Sequence, residues 1–164
     1  MFVMFLTVIS LFPQTTIENQ FSRPLKNVNL NLLGDGSIVS LNFEQLKIIK
    51  PNVLLSYMGG IGYSADICIF KCENRSTYLT LPHHVTVNLG KNKHFLEIGL
   101  GGTYALNISA DSNKYFLYPI IGYRLQPLRP NKLNLRIFGV YPIIGDIEKD
   151  TFFPLGLSIG YNFN

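Results

Sequence analysis

The chain has 164 residues, 47% of them hydrophobic and 13% aromatic, with 15% charged and a net charge of +4. One domain fits this length, and the apolar content with so little net charge excludes a disordered chain. Few charges beside 14 Gly, 9 Tyr and 12 Phe argue against a coiled coil, and no apolar run reaches the roughly 18 residues of a membrane-spanning helix.

The first residues, Met1 to Phe12, form an apolar run followed by Pro13-Gln14-Thr15-Thr16. Such a run resembles a secretory signal peptide, so residues 1–20 are assigned to a leader and residues 21–164 to the folded domain. From Asn27 onward the apolar period is two, the period of strands. Asn27–Leu33 and Ser37–Leu46 are the first pair, separated by the hairpin signal Gly34-Asp35-Gly36. Lys50-Pro51-Asn52 turns the chain into Val53–Tyr63. The Ser64–Thr77 link carries Cys68 and Cys72, whose four-residue offset suits one helical turn or a tight loop. They are a candidate disulfide or two free thiols.

Tyr78–Leu89 follows, with His83 and His84 on opposite faces, which prevents joint chelation of a metal. A short turn, Gly90–Lys93, leads to Phe95–Leu106, where Leu96, Ile98 and Leu100 alternate with Glu97, Gly99 and Gly101. Tyr115–Gln126 sets Ile121, Tyr123 and Leu125 against Gly122, Arg124 and Gln126, and Lys132–Ile143 sets Leu133, Leu135 and Ile137 against Asn134, Arg136 and Phe138. Pro154–Phe163 is the clearest strand, with Leu155, Leu157, Ile159, Tyr161 and Phe163 on one face and Gly156, Ser158, Gly160 and Asn162 on the other.

Eight strands of about ten residues, with alternating short and longer links, predict an antiparallel up-and-down barrel of the transmembrane type. The second face is Asn-, Ser-, Thr- and Gly-rich and lacks mid-strand Lys, which suits a filled lumen better than a solvated surface. On it lie Glu44, Glu97, Arg124 and Arg136, and buried charges must be paired. A lumenal network of these four is therefore expected, as a permanent polar plug in preference to the gate of a narrow channel.

The stretches Asn29–Gly36, Ser40–Glu44, Asn92–Gly101, Ile121–Pro127, Leu135–Gly139 and Leu157–Phe163, in this order and spacing, carry a family resemblance. The chain resembles small, mostly uncharacterised outer-membrane-barrel-like proteins of Bacteroidota-type bacteria. That resemblance implies export, an eight-strand barrel in the bacterial outer membrane and no assigned catalysis. The last strand also resembles the aromatic C-terminal signal read by the outer-membrane assembly machinery, with Tyr161 and Phe163 at the matching places. It departs from that signal at Ser158, where Gly is usual, and in the extra Asn164.

No Gly-x-Ser-x-Gly is present and no His has a Ser two residues away on the same face, so an enzyme is not expected. Nor is a metal or other cofactor. The basic balance does not form a nucleic-acid patch. By placement, the N-terminal stretch and short turns hold a balance of +7, and the opposite loops, Asp35 among them, one of −3. The expected partners are membrane lipid and the assembly machinery, the protein being a monomer. The alternative is a soluble exported barrel that binds a small apolar ligand.

Overall fold

The structure, a computed structural model, describes residues 23–65, 77–107, 114–144 and 153–164. It is a closed antiparallel barrel of eight strands in sequence order: β1 (Lys26–Leu32), β2 (Val39–Lys50), β3 (Val53–Ala65), β4 (Thr77–Lys91), β5 (His94–Asn107), β6 (Lys114–Leu125), β7 (Leu133–Val140) and β8 (Leu155–Phe163). Each strand pairs with its sequence neighbours, and β8 closes on β1 from Lys26↔Phe163 to Leu32↔Leu157. The up-and-down barrel expected from the period-two pattern is thus the observed fold. The leader and the Cys68–Cys72 pair lie outside the described residues.

Every strand alternates, and the alternation is inverted relative to a water-soluble core. Among the described residues, 22 polar or charged side chains are buried against 11 hydrophobic ones. Leu96, Ile98, Leu100, Leu157 and Ile159 all point outward, each more than 40% exposed. Outward aromatics gather toward the two rims. Tyr57, Tyr123 and Tyr161 lie near the rim of short turns, and Tyr63, Tyr104, Tyr115 and Tyr141 near the opposite one. Aliphatic side chains fill the band between.

Several strand ends differ from expectation, β2 running on to Lys50 and β3 to Ala65 among them, and two of the departures have a visible cause. The Lys132–Ile143 segment stops as a strand at Val140, because Pro142 has no N–H to give the ladder. Beyond it, Leu117 and Ile144 form an isolated bridge that covers the free side of β6. The second strand starts at Val39 instead of Ser37, because residues 33–38 turn into the barrel. Leu33, Gly34 and Gly36 hold φ of 62°, 81° and 75°, the left-handed region in which glycine carries no Cβ penalty. The Leu33 N–H donates to the Ile38 carbonyl at 3.0 Å and the Ile38 N–H to the Tyr63 carbonyl at 2.8 Å, tying the loop to both neighbours.

Candidate functional site: the packed lumen

Buried side chains line the interior from the short-turn rim to the opposite one. At the short-turn end Leu46, Leu54 and Phe95 point inward and are almost wholly buried. The Arg23 guanidinium lies 5.1 Å from the centre of the Phe95 ring.

Above this apolar floor sits the charged layer. β6 and β7 place Arg124 and Arg136 directly opposite each other across the ladder. Two guanidiniums side by side repel, so each needs a carboxylate from elsewhere in the ring. Glu97, on β5, has Gly122 as its β6 partner and Gly leaves the lumen open before it. The Arg136 Nε and Nη2 donate to its two carboxylate oxygens at 2.9 and 2.8 Å, a bidentate pair. Arg124 reaches across the lumen to Glu44 on β2, Nη2 to Oε1 2.5 Å, and bridges back to Glu97 at 3.4 Å. Glu44 is completed by uncharged donors. Asn27 and Asn29 donate to its Oε2 at 2.8 and 3.0 Å, and the Ser56 hydroxyl donates to Oε1. Arg136 also places its guanidinium 4.9 Å from the Phe138 ring centre. The four residues that the sequence singles out are thus brought into one contact chain, Glu44–Arg124–Glu97–Arg136, each at most 3% exposed.

The upper lumen works differently. Tyr78, Ala105, Phe116, Tyr118, Ile120, Phe138 and Val140 form an apolar, largely aromatic cluster on the β4–β7 side. The β1–β2 loop fills the rest. Asp35 is fully buried, its Oδ2 accepting from Asn31 at 2.9 Å and from the Ser40 hydroxyl at 2.8 Å. Its backbone carbonyl accepts from the Thr103 hydroxyl and, at 3.4 Å, from Tyr118. Tyr118 and Thr103 are joined at 2.8 Å, and His84 Nε2 meets the Tyr118 hydroxyl at 3.0 Å. Ser37 and Thr80 share a 2.6 Å bond. Burial pushes the Asp35 carboxyl above its usual range, and the bonds from Asn31, Ser40 and Ser37 pull it part of the way back.

Asp35 therefore corrects the expected charge map: it is a lumenal residue and contributes nothing to the opposite rim. The sequence shows the Gly-Asp-Gly turn but not its direction. Thr103 and Tyr118, which hold the loop, carry no sequence signal of that role beyond their inward register.

The histidines separate as their adjacent positions require. His84 is inside, whereas His83 faces outward, its Nε2 3.1 Å from the Tyr115 hydroxyl. The two rings stack 5.8 Å apart over Gly102, where a Cβ would fall 2.2 Å from the Tyr115 oxygen. On the outer wall His94 pairs with Tyr123. Among the described residues no three His, Cys, Asp or Glu side chains form a metal-binding group. Of the expected assembly signal, Tyr161 points outward between Val28 and Leu133, and Phe163 sits half-buried at the rim, 6.3 Å from the Phe43 ring. In chemical terms the charged layer immobilises charge, since Glu44, Glu97, Arg124 and Arg136 are sealed from solvent and spent on one another, while Asp35 is held by uncharged donors. Comparisons with protein-family models, curated proteins and solved structures gave no match to this chain.

Proposed function

We propose that this chain is an integral β-barrel of a bacterial outer membrane, with a permanently packed lumen and a structural or surface-interaction role. The observation that carries the reading is the inversion itself, polar side chains sealed inside and aliphatic ones covering the outside. In water such an exterior would be an aggregation hazard, whereas in a bilayer it is the required surface. The aliphatic band between two sets of outward tyrosines matches a hydrocarbon layer between two interfaces.

On this reading β8, with Tyr161 and Phe163, is the segment handed to the assembly machinery, and its pairing with β1 completes a monomeric barrel. The protein is a non-catalytic barrel, in keeping with its resemblance to the small Bacteroidota barrels. A soluble ligand-binding barrel would keep an apolar cavity inside. Here the interior is instead crossed by Arg–Glu bonds, which favours a plug over a channel.

Substitution on the outer wall tests the proposal. Leu157→Arg, on the outward aliphatic face of β8, is expected to cost up to about 2–4 kcal/mol when the barrel is unfolded from phospholipid vesicles. If the protein proves soluble and Leu157→Arg shifts its stability by less than about 0.5 kcal/mol, as at an ordinary surface site, the membrane reading fails.

A further inference from the structure

Resting on the membrane reading, we propose that the outer wall over β6, β7, β8 and β1 carries a binding site for one anionic phospholipid, with an acyl chain in a groove and the phosphate on the β6–β7 turn. A groove of about 340 Å³ opens on this wall, lined by Leu30, Leu32, Leu125, Leu135, Leu157 and Ile159 among others. The register fixes its course. Leu125 pairs with Leu135, Leu135 with Ile159 and Ile159 with Leu30, so one rung of outward side chains runs across four adjacent strands. Tyr123, Ile137, Leu157 and Leu32 form the parallel rung beside it. Three inter-strand steps give the trough a length of about 14 Å. Because barrel strands are tilted, a rung rises obliquely through the hydrocarbon layer. The first rung starts at Leu125, the last residue of β6 at the short-turn rim, and ends at Leu30 on β1, with Leu32 of the parallel rung lying above it.

The low end of this trough meets positive charge. The chain passes from Leu125 directly into the 126–132 turn, where Arg129 and Lys132 are both exposed. Lys93 lies alongside, its carbonyl accepting the Gln126 N–H at 2.8 Å, and its side chain is exposed too. Among the described residues no Asp or Glu side chain offsets them, because Asp35, Glu44 and Glu97 are all buried in the lumen. An apolar trough ending at a cluster of unopposed cations matches a lipid whose headgroup carries a net negative charge. A zwitterionic headgroup would bring its own cation to the same place. Each cation near an anionic surface contributes about fivefold, so Arg129 and Lys132 together give a preference of roughly 25-fold.

The test uses the full chain reconstituted in vesicles of equal phosphatidylglycerol and phosphatidylcholine, with retained lipids counted by native mass spectrometry. Wild type is expected to keep one phosphatidylglycerol, at about 25-fold over phosphatidylcholine. The double variant Arg129→Gln/Lys132→Gln should lose that preference, and Ile159→Trp, which fills the groove, should lose the bound lipid. Lys47→Gln/Lys50→Gln, on the far side of the rim, should keep both. Equal retention of the two lipids overturns the site, as does a preference that survives Arg129→Gln/Lys132→Gln. An equal loss in Lys47→Gln/Lys50→Gln would replace the site with diffuse rim charge, and a mass of two chains would make the groove a contact between copies. If the chain fails to co-float with vesicles of either composition, the membrane reading itself has failed, an outcome distinct from all of these.

Discussion

The two halves of the lumen solve the same packing problem with opposite chemistry. The lower half is held by four charges paired across β2, β5, β6 and β7, with two amides completing Glu44. The upper half is held by aromatic packing and by a backbone loop drawn in from the rim. Charges reach far and are intolerant of a missing partner. Loops and rings reach less far, and their contacts are individually weak but numerous. The lower half should therefore fail abruptly when one residue changes, and the upper half by degrees.

Removing one partner below tests the abrupt side. Glu97→Ala strands the buried Arg136 guanidinium, while Arg124 keeps Glu44, and is expected to destabilise the barrel by about 3–5 kcal/mol, read as the urea midpoint in detergent micelles. Replacing Glu44, Glu97, Arg124 and Arg136 together by apolar residues of similar volume should cost much less, and a loss as large as that of Glu97→Ala would contradict the stranded-charge account. Above, Gly34→Ala puts a Cβ at a φ of 81°, 2.5 Å from the Gly156 Cα. About 2 kcal/mol or more is expected from backbone strain and overlap, with the loss confined to the loop if the halves are independent. Amide exchange at residues 33–38 measures that confinement. Tyr118→Phe keeps the ring and removes the hydroxyl that His84, Thr103 and the Asp35 carbonyl share, for a loss of about 1 kcal/mol. Faster exchange at Asp35 and Gly36, with the urea midpoint nearly unchanged, is the expected pattern.

The smallest effect is a pH slope. Burial lifts the Asp35 carboxyl above its ordinary 3.8, so the folded barrel retains a proton that the unfolded chain has released. Its contribution to stability is complete below the ordinary value and is lost as pH rises through the raised one. Subtracting the stability profile of Asp35→Asn from that of wild type should leave a difference that declines with pH in that window. A flat difference would mean that the loop carries Asp35 as an ordinary carboxylate.

These two halves were also unequally legible in the sequence. Glu44, Glu97, Arg124 and Arg136 announce themselves, because charges in phase with Gly and Asn on alternating strands have few places to go. The outward Leu96, Ile98, Leu157 and Ile159 follow from the same alternation. Asp35 could not be placed this way. A Gly-Asp-Gly turn has the same local composition whether it projects outward or folds inward. The direction depends on space left by residues far along the chain. Gly156, whose added Cβ would fall 2.4 Å from the Phe138 ring, is one of them, and Thr103 against Gly36 is another. The early end of β7 was readable in Pro142, but the bridge from Leu117 to Ile144 that compensates for it required the folded arrangement.

The inward loop also bears on what the wall can carry at its seam. Gly34 lies against the backbone of Gly156, at the upper end of the line where the last strand meets the first. The loop thus sits like the tongue of a clasp, tucked inside the ring with Asp35 fully buried. A foreign peptide spliced between Gly34 and Gly36 has no room there, so this connection is a poor place to carry a displayed epitope.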